Sequence, residues 1–339
     1  MKCPDRKADH ETGPYLEPMR RILRRWLAGL PWWLAEFTLF GLKQAWACLF
    51  AAIMLGLMIA TKFTWQAEWP LQRYDFLFLA ALAVQILFLR FRMESWDEAR
   101  VIFVYHVTGT IMEIFKVHMG SWAYPEPSLF SIAGVPLFSG FLYASVGSFI
   151  ARTIRIFDMR FTHYPPFWTT GLLAAAIYAN FFSHHFLPDI RYLLFAATVA
   201  VFWRVRIHFT TDRTTLHMPL TVAAFLSSLF LWIAENIGTV TGTWIYPSQK
   251  VWHLVSFGKL GSWYLLLYVS FVLVTLVVRP RAPDEENGNA DPYRASARHQ
   301  CRGQGAENGG PEGSRLDPRL HRGHDLSPER QPGVPKLGG

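Results

Sequence analysis

EIFKVHMGSWAYP (residues 113–125) and ENIGTVTGTWIYP (residues 235–247) are the two stretches that decide how this chain is read. In each, a glutamate is followed at fixed spacing by glycine, tryptophan, tyrosine and proline, and all five positions recur at an offset of 122: Glu113 and Glu235, Gly120 and Gly242, Trp122 and Trp244, Tyr124 and Tyr246, Pro125 and Pro247. Each glutamate sits in or at the edge of an apolar run long enough to enter a bilayer. An ionisable group there is costly and usually functional.

Outward from this pair the chain is apolar throughout its middle. Of 339 residues 51% are hydrophobic and only 17% charged, against roughly 25% charged in an ordinary soluble domain. Apolar runs fall at 44–61, 74–89, 96–119, 130–150, 167–182, 190–203, 218–237 and 260–278. Each approaches the roughly 20 residues that cross a bilayer, the sixth with help from its flanks. The expected fold is therefore all-α, a polytopic bundle of about eight transmembrane helices.

Basic residues give an independent check, because short cytoplasmic loops collect Lys and Arg. With both termini cytoplasmic, the cytoplasmic segments hold 18 of them and the alternate loops five. One helix more or fewer would invert the bias from that point on. The net charge of +8 then needs no nucleic acid as partner; its partner is the lipid bilayer. Arg20, Arg21, Arg24 and Arg25, interleaved with Leu23, Trp26 and Leu27, suit a helix lying on an anionic leaflet. No cleavable signal is apparent, and three cysteines, Cys3, Cys48 and Cys301, give no disulfide framework. The expected location is a bacterial inner membrane.

The repeat extends beyond the two motifs. Pro70, Arg73 and Tyr74 match Pro188, Arg191 and Tyr192 at an offset of 118, and Leu49, Ala52 and Ile53 match Leu173, Ala176 and Ile177 at 124. Drifting offsets are what loop-length changes produce. The division that follows is a basic arm with an interfacial helix at 1–43, four-helix repeats at 44–150 and 151–279, and a polar, disordered tail at 280–339. An even number of spans per copy makes the repeats parallel, related by an axis along the membrane normal, with a site expected at their interface.

Ser95 and Glu98 form a capping box that starts the third helix and places Glu113 in its outer half. Two carboxyl groups held close in apolar surroundings split their titrations and leave one able to donate a proton. Glu235 is the candidate acid and Glu113 the stabiliser or base, with the exchanged roles as the alternative. His106, seven residues before Glu113 with Thr110 between, shares its helical stripe and is a candidate proton relay or, equally, a packing histidine. Lys116, one turn after Glu113, is placed to pair with it. Trp122, Tyr124, Trp244 and Tyr246 form a candidate aromatic lid over a lipophilic substrate, although aromatic belts gather at membrane interfaces for other reasons. Asn180 and Asn236 are candidate cavity-lining groups. His184, His185 and Asp189 give only a weak metal signal, since adjacent histidines diverge on a helix and a fourth ligand is missing. No cofactor motif occurs.

The runs WDEAR (96–100), GVPLFSGF (134–141), HHFLPDIR (184–191) and WIAENIGT (232–239) resemble the YoaT-like family of bacterial integral membrane proteins, domain of unknown function family 817, over roughly 46–278. That resemblance implies the membrane class and no reaction. Glu235, Gly238, Thr241, Gly242, Tyr246 and Gly258 are also similar to the pattern in membrane carotenoid hydratases, relatives of the small bacterial lycopene cyclases. That likeness implies acid groups in an apolar cavity acting on polyene double bonds. The expected function is acid–base chemistry on an isoprenoid or lipid-like substrate; a proton- or cation-coupled transporter and a structural or sensory scaffold are the alternatives.

Overall fold

A computed structural model describes residues 26–27, 29–66, 68–212, 214–247 and 254–283. The arginines expected on an interfacial helix, Cys3, Cys301 and nearly all of the polar tail lie outside them. Contacts divide the chain into two units, Met1–Glu285 and Glu286–Gly339, the second wholly outside the described residues.

The described residues are mostly helical. Helices run α1 (Trp32–Ala47), α2 (Leu49–Thr64), α3 (Arg73–Arg90), α4 (Trp96–His118), α5 (Phe138–Ile156), α6 (Phe167–Ser183), α7 (Arg191–Phe202), α8 (Leu220–Val240) and α9 (Phe257–Val277). The eight apolar runs correspond to α2 through α9, because an apolar segment buries its backbone polar groups most simply by helical bonding. Two of them, α8 and α9, are each long and apolar enough to cross a membrane. The bent pair α1 and α2 would be a third if it forms one span.

Residues 32–43, assigned to the basic arm, form most of α1, which meets α2 at a bend of 65°; Lys43 and Gln44 interrupt the apolar run without breaking the helix. Two expectations are corrected. The fourth run does not begin as helix. Residues 131–136 form a hairpin, β1 (Ser131–Ile132) against β2 (Val135–Pro136), turned by Ala133 and Gly134 at φ 50° and 78°, and α5 starts only at Phe138. Nor is the chain purely helical. β3 (Arg160–Thr162), β4 (Arg206–Thr210) and β5 (Thr215–Pro219) make an antiparallel sheet in the order β3-β4-β5. In β4, Ile207 and Phe209 are buried between outward polar residues, the period-two pattern of a half-buried strand, within loops read only for their basic charge.

The capping box forms as expected: the Glu98 amide donates to Ser95 Oγ at 3.2 Å and the Ser95 amide to Glu98 Oε2 at 2.8 Å. At the same end of the bundle Glu94 and Arg152 form a fully buried ion pair, and Gln85 and Ser148 also donate to Glu94. Burial nevertheless pushes the Glu94 carboxyl above the usual range, against the opposing pull of Arg152. One apolar cluster joins α4, α5, α6 and α9 through Val101, Tyr105, Ile154, Ile177 and Phe271, with Phe202 stacked on Tyr268 at 4.9 Å between centroids. A second holds α2, α3 and α5 together through Phe50, Met54, Ala81, Phe88 and Phe141.

Candidate functional site

The site is built by two helix ends that terminate in the same way. After α4, Gly120 takes φ +65°; after α8, Gly242 also takes φ +65°. A side chain would be strained in this left-handed region, and a glycine there is the usual helix stop. The amides of Gly120 and Ser121 donate back to Val117 and Lys116 at 3.0 and 2.9 Å, and those of Gly242 and Thr243 to Thr239 and Gly238, both at 3.0 Å. The reversal carries the following tryptophan and tyrosine back over the glutamate. Trp122 Nε1 and Tyr124 Oη donate to Glu113 Oε2 at 2.7 and 2.8 Å, and Tyr143 Oη from α5 donates to Oε1 at 2.6 Å. In the second copy Trp244 Nε1 donates to Glu235 Oε1 at 3.1 Å, and Tyr246 Oη donates to the same oxygen. Burial first, and the adjacent carboxyl second, push the Tyr124 and Tyr246 phenols well above their ordinary value, so both remain O–H donors.

The two turns touch. Ala123 and Ile245, themselves 122 positions apart, exchange both backbone hydrogen bonds at 3.0 Å, and the Trp122 ring meets the Tyr246 ring edge-on at 6.0 Å. Buried Arg73 at the start of α3 donates to Thr61, to Glu126 beyond the first turn and to Thr243 in the second, and Tyr74 Oη donates to the Thr243 carbonyl at 2.7 Å. Beneath this roof lies a cavity of about 160 Å³, lined by both glutamates, their four aromatic donors, Tyr143 and apolar residues such as Leu55, Leu142 and Leu231.

The carboxylates are not equivalent. Glu113 receives three donors spread over both oxygens. Both donors to Glu235 converge on Oε1, and among the described residues Oε2 has no hydrogen-bond partner. Among the same residues no ion pair involves either glutamate.

A family model described as a protein of unknown function (DUF817) matches residues 36–271, a stretch that contains every residue of this cavity. This chain belongs to the DUF817 family. The uncharacterized protein YoaT of Bacillus subtilis (strain 168) is 42% identical over 236 residues, covering 69% of this chain and 89% of the relative. A crystal structure of a cross-linked MvINS trimer aligns at 15% identity with a TM-score of 0.39, covering 56% of this chain and 98% of that one; no common fold follows from that.

In this DUF817 chain the other candidate residues separate. His106 does not reach Glu113: seven residues are about 10 Å along a helix axis, and its ring packs on Phe141 at 4.7 Å, where a Cβ on Gly140 would come within 2.5 Å of its Nδ1. Lys116 does not pair with Glu113; its ammonium faces His185 Nε2 at 3.1 Å and His184 Nε2 at 3.5 Å and lies over the Phe181 ring. The two histidines converge, with ring centroids 4.3 Å apart, because α6 has ended at Ser183 and helical divergence no longer applies. Asp189 is engaged instead by Asn180 and Arg191, so the three do not form one cluster. Asn180 bonds Asp189 and the Ile190 amide, and Asn236 bonds Trp232 and Val255; neither lines the glutamate cavity.

Sequence reasoning missed Tyr143, Lys259 and Trp263 in the lining. Tyr143 left a signal: a Cβ on Gly109 would come within 2.7 Å of it, so a glycine one turn before Glu113 marks where a bulky neighbour crosses. Lys259 stands over the Tyr246 ring at 3.9 Å and the Trp122 ring at 5.6 Å. Its signal was a cation at the edge of the last apolar run.

Proposed function

We propose that this chain is an eight-span protein of a bacterial inner membrane, built from two parallel four-helix repeats with both termini cytoplasmic, and that it performs acid–base chemistry on an isoprenoid or lipid-like substrate between them. The observation that carries this reading is the shared cavity, with two carboxyl groups on one small, mainly apolar volume. A cavity of roughly 150 Å³ with apolar walls takes a benzene-sized group, so this one suits a single unsaturated segment of a longer chain. The repeat reading is supported by the matched turns and by the antiparallel bridge at equivalent residues, Ala123 and Ile245, which is what a local two-fold relation produces. The span count is supported by a helix in every apolar run and by the skew of basic residues. Short α7 then relies on its flanks or a thinned bilayer to cross.

In this mechanism Glu235 delivers the proton on Oε2, the oxygen that neither Trp244 nor Tyr246 engages, to one carbon of a double bond. The π pair forms the new C–H bond and the neighbouring carbon becomes cationic. Glu113, held by three donors, and the faces of the surrounding aromatics stabilise that cation, and a carboxylate takes a proton back as the reaction resolves. The weak sequence similarity to carotenoid hydratases points to the same chemistry.

The test compares lipids and pigments extracted from cells carrying the wild-type chain, its Glu235→Gln form, or neither. The reading expects a species that depends on the wild-type chain and is lost with Glu235→Gln. Identical profiles across the three would remove the enzyme reading and leave transport or a scaffold role.

A further inference from the structure

A second cavity, of about 190 Å³, adjoins the glutamate cavity and shares Trp122, Phe181, Lys259 and Ser262 with it. Its chemistry is the opposite. Lys116 from α4, Arg191 from the start of α7 and Lys259 from α9 converge on it, with His184 beside them, and no Asp or Glu lines it. Like charges brought together from three distant segments repel one another, and a fold keeps such an arrangement readily only where an anion offsets it.

Among the described residues, two of the three cations have no carboxylate within ion-pair distance, and the third, Arg191, is paired only with Asp189. Lys116 faces two imidazole nitrogens. Lys259 lies against two aromatic rings. Arg191 is joined to Asp189 through Nε, which leaves its two terminal nitrogens with no partner among the described residues. Ser121, Ser256 and Asn180 add neutral polar groups to the wall, and the first turn of α9 brings the positive end of a 21-residue helix to the same space. Several cations with a helix N-terminus fit a compact anion that has many acceptor oxygens, which is the description of a phosphate or diphosphate.

We propose that this cavity binds the phosphate or diphosphate headgroup of an amphiphile whose hydrocarbon portion occupies the glutamate cavity, with Trp122 and Lys259 at the junction. The substrate class is then a phosphorylated isoprenoid or similar lipid phosphate, an assignment that rests on the acid–base reading above.

The test uses the full chain in phosphatidylcholine nanodiscs and three probes: farnesyl diphosphate, farnesol and inorganic pyrophosphate. Farnesyl diphosphate is expected to bind at least about tenfold more tightly than either of the others, since one charge-assisted hydrogen bond is worth that much. Lys116→Gln and Arg191→Gln should each weaken diphosphate binding by about tenfold and leave farnesol binding unchanged, which also shows that the variants are folded. In the wild type, added salt should weaken the diphosphate and not the alcohol. Equal affinity for farnesol and farnesyl diphosphate overturns the proposal, and so does pyrophosphate binding as tightly as the lipid, which would make the cavity a site for a free anion. If headgroup-dependent binding fails while Glu235→Gln still alters the lipid profile, the acid–base reading stands alone. If binding holds and the lipid profile is unmoved, the reverse follows.

Discussion

At the scale of single residues, the site depends on how closely a tryptophan can lie over a helix. Trp244 reaches Glu235 by crossing Gly238, where a Cβ would come within 1.9 Å of the indole ring. The position 122 earlier is Lys116, whose long side chain leaves in another direction, so the same motif is seated differently in the two copies. Gly238→Ala must therefore push the indole off the carboxyl group, with an overpacking cost of about 1–3 kcal/mol. Thermal unfolding of the purified protein is expected to fall for Gly238→Ala and not for Gly171→Ala, a helical site with nothing within 4 Å of the added methyl group. Equal effects would show that Trp244 does not lie over Gly238.

At the scale of elements, the link between α6 and α7 carries a pH response. Burial first, then the neighbouring Lys116 and His184, hold the His185 imidazole below its ordinary value of 6.5. The folded form thus favours neutral His185, and this contribution is fully present above about pH 6.5. As pH falls further, the unfolded chain takes up a proton that the folded one resists, and stability is lost. The unfolding midpoint should therefore drop more between pH 7.5 and pH 5.5 for the wild type than for His185→Gln. Parallel drops would show that His185 is not held neutral by its neighbours. Which elements exist was largely legible: apolar runs gave α2 to α9, and Ser95 with Glu98 gave the start of α4. The hairpin at 131–136 was not, since Phe130, Ile132, Val135 and Leu137 look as apolar as a helix and only the turn at Ala133 and Gly134 separates the two. The sheet was hidden because its strands alternate over three to five residues among arginines.

At the scale of the whole molecule, the glutamates and their aromatic donors were legible because one spacing occurs twice. Their neighbours were not, because Tyr143, Lys259 and the Lys116 contacts arise where distant segments pack and leave no periodicity along the chain. The proposed chemistry requires that the two Glu-to-Pro turns meet over one chamber that holds both carboxyl groups. Ala123 and Ile245 are exposed and paired as directly opposed, hydrogen-bonded residues, for which Cα atoms lie about 5.5 Å apart, within the range a disulfide spans. The most direct measurement is oxidation of an Ala123→Cys, Ile245→Cys chain, with Cys3, Cys48 and Cys301 replaced by serine and a protease site inserted between β4 and β5. The cut halves should stay covalently joined until reductant is added; halves that separate without reductant would show that the two turns do not meet.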